Sequence, residues 1–137
     1  MSFSGKRYRR IGSENIEELI KITKTDESLL NMFRANAPIF SFTRLDELTF
    51  RFTLQTGHKH MWYDFRLGEE FDMEMKDGRK LNMVFTLEND NVLKQTLKKP
   101  NGKIIYFTKE FGEKESKMTI TMEGTDAIAT VFYEIVK

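Results

Sequence analysis

The chain predicts an all-β protein with a short helical segment near its start, on three observations. From Phe40 onward apolar and polar residues alternate with a period of two, the mark of a sheet with one dry and one wet face. Turn-forming clusters interrupt that alternation at short, regular intervals, among them Leu45-Asp46-Glu47, Thr56-Gly57, Glu88-Asn89-Asp90-Asn91 and Glu123-Gly124-Thr125-Asp126. Ahead of these strands, residues 14–35 space their apolar groups as helices do. Short antiparallel strands joined so closely form a meander, whose stable forms are a closed barrel or a sandwich.

The elements follow in order: strand, helix, helix, many strands. Ile16, Leu19, Ile20 and Thr23 recur at helical spacing, with Glu14, Glu17 and Glu18 near the start and Ser13 as the expected N-cap, since acids in a first turn suit the helix dipole. A second short helix takes Thr25 as cap, Asp26 and Glu27 in its first turn, then Leu29, Leu30, Met32 and Phe33. Pro38 blocks its continuation and passes the chain to a strand. The alternating sets are Phe40 and Phe42; Leu48, Phe50, Phe52 and Leu54; Met61, Tyr63 and Phe65; Phe71, Met73 and Met75; Leu81, Met83, Phe85 and Leu87; Leu93, Gln95 and Leu97. Trp62, Asp64 and Arg66 fall on the opposite, outward face.

Composition narrows the function classes. The 137 residues fit one domain, 1–137, without linkers or repeats. A net charge of +1 gives no bulk attraction to nucleic acid. The chain has no Cys, hence no disulfide framework and no thiolate nucleophile. No window approaches the ~18 apolar residues of a membrane span, and the first residues carry no long apolar stretch, so a cytoplasmic setting is expected. Twelve Phe, four Tyr, one Trp and eight Met suit either an adaptable cavity or a plain packed core.

Several strings resemble the intracellular lipid-binding proteins, the family of fatty acid-binding and cellular retinoid-binding proteins. Gly5-Lys6-Arg7-Tyr8 leading to Ser13-Glu14-Asn15-Ile16-Glu17 is similar to the family's first strand and helix start, with one extra residue before Tyr8 and Ile16 in place of an aromatic. Phe65-Arg66-Leu67-Gly68-Glu69-Glu70-Phe71-Asp72, Asp77-Gly78-Arg79-Lys80 and Thr130-Val131-Phe132-Tyr133-Glu134 resemble its middle and its last strand. The resemblance implies a ten-stranded up-and-down antiparallel barrel, closed by a helix-turn-helix lid between the first two strands. It also implies a gap between two middle strands near Leu67-Gly68, where glycine permits the backbone bend.

Such barrels carry a small apolar ligand, and members that bind fatty acids hold the carboxylate with two arginines and a tyrosine. The tyrosine maps onto Tyr133, one arginine onto Lys109, and the other onto Val131, where no cation remains. Alternation independently places Lys109 on one face with Ile105, Phe107 and Phe111, and a cation so placed must find a partner or lose its proton. Lys109 and Tyr133, with Gln95 in reach, are the head-group candidates. The alternatives are a lysine that snorkels or pairs with an internal acid, or a register one residue off. The tail candidates are Phe40, Phe52, Leu54, Met61, Tyr63, Met73, Met75, Met83, Phe85 and Val131. Met32 and Phe33 on the lid, with His58 and Lys59, are the portal candidates; His58 and His60 lack a third ligand for a metal.

The expected function is carriage of a long-chain fatty acid or similar lipid by a monomer without cofactor or metal. A retinoid or other neutral lipid is the alternative, since one lysine, a glutamine and a tyrosine suit a weakly polar head group as well. A low-selectivity storage barrel and a nucleic-acid-binding barrel are less favoured, the latter because its stacking aromatics would lie outside. No glycine-flanked serine elbow or serine–histidine–acid spacing supports an enzyme. Lys6, Arg7, Arg9 and Arg10 raise transient membrane contact as a partner reading, although alternation splits that run across two faces.

Overall fold

The computed structural model describes residues 3–18, 39–74, 78, 80–99 and 102–136, with the side chains of Thr56 and Glu74 excepted. Ten strands follow one another: β1 (Arg7–Glu14), β2 (Ile39–Arg44), β3 (Thr49–Thr56), β4 (Lys59–Arg66), β5 (Phe71–Glu74), β6 (Lys80–Asn89), β7 (Val92–Lys98), β8 (Ile104–Phe111), β9 (Glu115–Met122) and β10 (Ile128–Ile135). They form a single antiparallel sheet in the order β4-β3-β2-β1-β10-β9-β8-β7-β6-β5. The first strand pairs with the last, as an up-and-down barrel requires. β4 and β5, consecutive in the chain, stand at the two ends of that order and leave the expected gap between them.

The gap is bridged at its turn. Gly68 takes φ +77°, a left-handed conformation that glycine adopts without steric cost. Its N–H donates to the Phe85 carbonyl on β6 at 2.8 Å, while Leu67 N–H donates to the Leu48 carbonyl at 2.8 Å. On the inner side Phe65 of β4 stacks on Phe85 at 4.0 Å and Tyr63 meets Phe71 of β5 at 5.7 Å. Aromatic contact thus spans the opening where the strand ladder does not. Outside it lies an open depression of about 280 Å³ bordered by Thr49, Asp64, Phe65, Arg66, Glu69, Glu70 and Phe71.

One end of the barrel is sealed by Phe3. It is fully buried and stacks on Phe111 at 4.3 Å, with Phe50 and Phe42 at 6.1 and 6.4 Å. Gly5 N–H donates to the Phe42 carbonyl and Arg44 N–H to the Ser4 hydroxyl, each at 2.9 Å, so the segment ahead of β1 is tied to β2. Burial of each such ring contributes about 1.5–3 kcal/mol.

The helix start differs from expectation. β1 continues through Glu14, so Ser13 is a strand residue and caps nothing; helix begins only at Ile16. The reason is pairing: Ser13 and Glu14 lie opposite Val131 and Thr130 on β10, and those ladder bonds outcompete an early cap. Asn15 makes the transition at φ 61°, a conformation asparagine tolerates better than most residues, and its Nδ2 donates to the Ile128 carbonyl at 3.3 Å. The rest of the expected lid, including Met32 and Phe33, lies outside the described residues. Leu48 also departs from the pattern, sitting exposed in the β2–β3 turn and not on the inner face.

Candidate functional site

The predicted inner faces are largely realised. Phe40, Met83, Phe85, Val131 and Tyr133 are buried, and Phe52, Leu54, Tyr63 and Met73 are half-buried against them. Met61 shares its face with Leu54, its partner on β3, yet is 43% exposed. It sits next to the β3–β4 turn on an edge strand, where no described β5 side chain covers it, and so belongs to the rim of the barrel. Met75 lies outside the described residues. His58 in that turn and Lys59 and His60 at the start of β4 are exposed. Trp62, Asp64 and Arg66 point outward, Arg51 bridging Asp64 at 2.8 Å and stacking over Trp62 at 4.3 Å.

Lys109 points into the barrel. On β8, Ile105, Phe107 and Phe111 are buried on the same face, and the ammonium Nζ lies 5.1, 5.4 and 5.9 Å from the ring centres of Phe42, Phe85 and Phe107. These faces attract a cation but do not replace its hydration. Burial pushes the Lys109 pKa down to about 7. The side chain still keeps part of its surface accessible.

The partner of Lys109 is Gln95. Nζ donates to the Gln95 Oε1 at 2.7 Å, and Gln95 Nε2 in turn donates to the Met83 Sδ at 3.4 Å. Gln95 lies opposite Phe107 on β8, one step diagonal to Lys109. Among the described residues no carboxylate pairs with this lysine, so the internal-acid alternative is not realised. The inward side chains also exclude a register slip.

Tyr133 occupies a different stretch of wall. It is buried on β10, its ring edge-on to Phe40 at 4.7 Å, and burial holds its hydroxyl neutral well above the usual tyrosine range, with the charge of Arg10 acting in the opposite direction. The structure therefore joins Lys109 to Gln95 and sets Tyr133 beside β1. The neighbour that sequence reading passed over is Arg10. It lies opposite Tyr133 in the β1–β10 ladder, two residues beyond the buried Tyr8, and is itself half-buried. Counting by two from Tyr8 was the signal available; the run of basic residues around it suggested a solvated surface instead.

An antiparallel barrel with an apolar inner face, half-buried in part, and an inward amine among aromatic rings is the frame of a class of proteins that enclose a greasy ligand. No family model matches the chain. The chain is 31% identical over 132 residues to the muscle fatty acid-binding protein of Schistocerca gregaria, covering 96% of both chains. It is 30% identical over 136 residues to cellular retinoic acid-binding protein 1 of Gallus gallus, again covering 96% of each. In three dimensions it resembles the Schistosoma mansoni fatty acid-binding protein in complex with arachidonic acid, with TM-score 0.82, 23% identity, and coverage of 99% of this chain and 97% of that one. The chain belongs to the intracellular lipid-binding protein family.

Proposed function

We propose that this protein binds a long-chain fatty acid or a similarly shaped lipid acid inside the barrel and carries it as a soluble complex. The observation that carries the reading is the Lys109 ammonium, held at 2.7 Å from Gln95 among Phe42, Phe85 and Phe107 with no carboxylate partner among the described residues. An incoming carboxylate supplies the missing charge, and Gln95 fixes the ammonium's direction. Phe40, Phe52, Leu54, Tyr63, Met73, Met83, Phe85 and Val131 receive the tail, each buried methylene contributing about 0.8 kcal/mol. Met61 takes a rim role beside His58 and Lys59.

The relatives favour both lipid classes, since one is named for fatty acid and the other for retinoic acid. Both ligands end in a carboxylate, which agrees with a cationic interior better than a neutral lipid does. The protein acts as one barrel unit and as a monomeric cytoplasmic carrier, and carries out no chemistry on its cargo. Native mass spectrometry of freshly purified protein, with extraction and identification of the bound lipid, tests the proposal. Oleate, retinoic acid and retinol titrations then rank the classes. Binding of retinol as tightly as of oleate would remove the carboxylate from the recognition, and failure to bind any of the three would end the carrier reading.

A further inference from the structure

Besides Lys109, β1 carries a second inward-facing cation, the half-buried Arg10. Arg9 and Arg10 are adjacent, yet their fates differ. Arg9 lies opposite Glu134 on the outer face and forms an ion pair with it at 2.5 Å. Arg10 lies opposite Tyr133, on the face that also carries the fully buried Tyr8. Directly opposite residues in an antiparallel pair hold their Cβ atoms about 4.5–5.5 Å apart, so the guanidinium stem rises beside the tyrosine ring.

The β1 backbone is shaped to keep it there. The ladder shifts between Arg10 and Gly12, leaving Ile11 as an unpaired bulge residue that is 59% exposed. A bulge of this kind re-aims the side chains around it. Before it, Tyr8 and Arg10 face inward; after it, Gly12 pairs with the outward Phe132 and Ser13 with the inward Val131. The extra residue thus falls immediately after the arginine and changes the parity of the strand at that point.

The chemistry of this wall demands an anion. Arg10 is a half-buried cation beside the apolar rings of this wall, and such a cation is costly without a partner. Among the described residues no carboxylate pairs with Arg10. Close by, the Tyr8 hydroxyl is buried and has no hydrogen-bond partner, and Tyr8 and Tyr133 both pack against Phe40. We infer that Arg10, with Tyr133 beside it, is a second receptor for the carboxylate of a lipid ligand, supplying across the β1–β10 ladder the cation that Val131 does not provide on β10. Arginine's planar fork can donate to both carboxylate oxygens at once, which Lys109 cannot. This assignment rests on the lipid-carrier reading, and two ligands with one tail separate the two claims.

Oleate and oleyl alcohol share a hydrocarbon chain and differ at the head group. Calorimetric or fluorescence-displacement titrations of both are made with the natural protein and with Arg10→Met, Arg10→Lys and Arg9→Met. The expected result for Arg10→Met is oleate affinity about tenfold lower or worse, with oleyl alcohol within about twofold of the natural protein. Arg10→Lys recovers part of the loss, and Arg9→Met changes neither ligand. Unchanged oleate affinity in Arg10→Met overturns the inference and leaves Arg10 a rim residue, with the carrier reading intact. If the natural protein binds neither lipid, the carrier reading itself falls. If Arg10→Met fails to fold, the oleate-to-alcohol affinity ratio of Arg10→Lys decides: a reduced ratio supports the receptor role, and an unchanged one refutes it.

Discussion

At the sealed end of the barrel Phe3, Phe42, Phe50 and Phe111 stack until almost no solvent reaches them, whereas along the wall Phe52, Leu54, Tyr63 and Met73 face inward and remain half-buried. Both regions are built from the same residue types on the same alternating strands. What separates them is what lies opposite each ring. Phe3 reaches in from ahead of β1 and fills the space between facing strands; among the described residues the wall has no such plug, and its polar groups, Lys109–Gln95 and Arg10–Tyr133, lie on the inward face. The first region is packed for stability; the second is the wall proposed to receive the ligand.

Truncation at the sealed end has the largest expected effect. Phe42 meets Phe3, Phe40, Phe52, Phe85 and Phe111, so Phe42→Ala opens a cavity among rings that cannot collapse, at about 3–5 kcal/mol. Urea unfolding measures it. Phe52→Ala, across the ladder from Phe42, removes a ring that is only half-buried and costs about 2 kcal/mol, while weakening oleate binding. Equal losses at the two positions would break the distinction between plug and wall.

Lys109 sharpens the comparison through pH. Its folded-state pKa lies near 7, below the ordinary 10.5. Between those values the unfolded chain holds a proton that the folded chain lacks, so this residue makes stability rise with pH across that window, and its full penalty applies below about pH 7. Lys109→Met is therefore more stable than the natural protein at pH 6, by about 1–2 kcal/mol, and the difference fades toward pH 10. Ligand binding takes the opposite sign. A bound carboxylate favours the ammonium, so oleate affinity falls as pH rises above about 7, by at most about tenfold per pH unit. Lys109→Met binds oleate about tenfold more weakly at pH 6 and removes that slope. A slope that persists in Lys109→Met would assign the titration to another group.

The sequence made the strands and their faces legible because alternation is strict wherever one side of a sheet is dry. Alternation placed Phe107, Lys109 and Phe111 on one inward face beside what the resemblance implied for Lys109, and their burial among the core rings agrees. The barrel's closure was not legible from the pattern, because pairing of β1 with β10 spans more than a hundred residues; family resemblance supplied it. Ser13 misled because a capping residue reads the same in a strand that happens to precede a helix. Arg10 was missed because basic residues in a run suggest a wet surface, and its inward face follows only once Tyr8 is fixed as core. Phe3 carried no periodic signal, since it acts as a plug ahead of the first strand.

The smallest expected effect tests the seam where the two regions meet. Gly68 bridges β4 to β6 across the gap, with φ +77° and its N–H on the Phe85 carbonyl, and a Cβ added there would touch nothing within 4 Å. Substitution therefore acts through the backbone alone, without a steric clash to confuse the result. Gly68→Ala forces an L-residue into the left-handed region at about 1 kcal/mol, and Gly68→Asn, which tolerates that region, costs less. Phe85 stacks on Phe65 and lies under the Lys109 ammonium, so strain at Gly68 bears on the sealed end and the polar wall together. Amide exchange separates the outcomes. Faster exchange confined to β4 and β5 marks a seam that opens by itself, whereas faster exchange spreading through β6 to β8 shows that the bridge helps hold Lys109 in place.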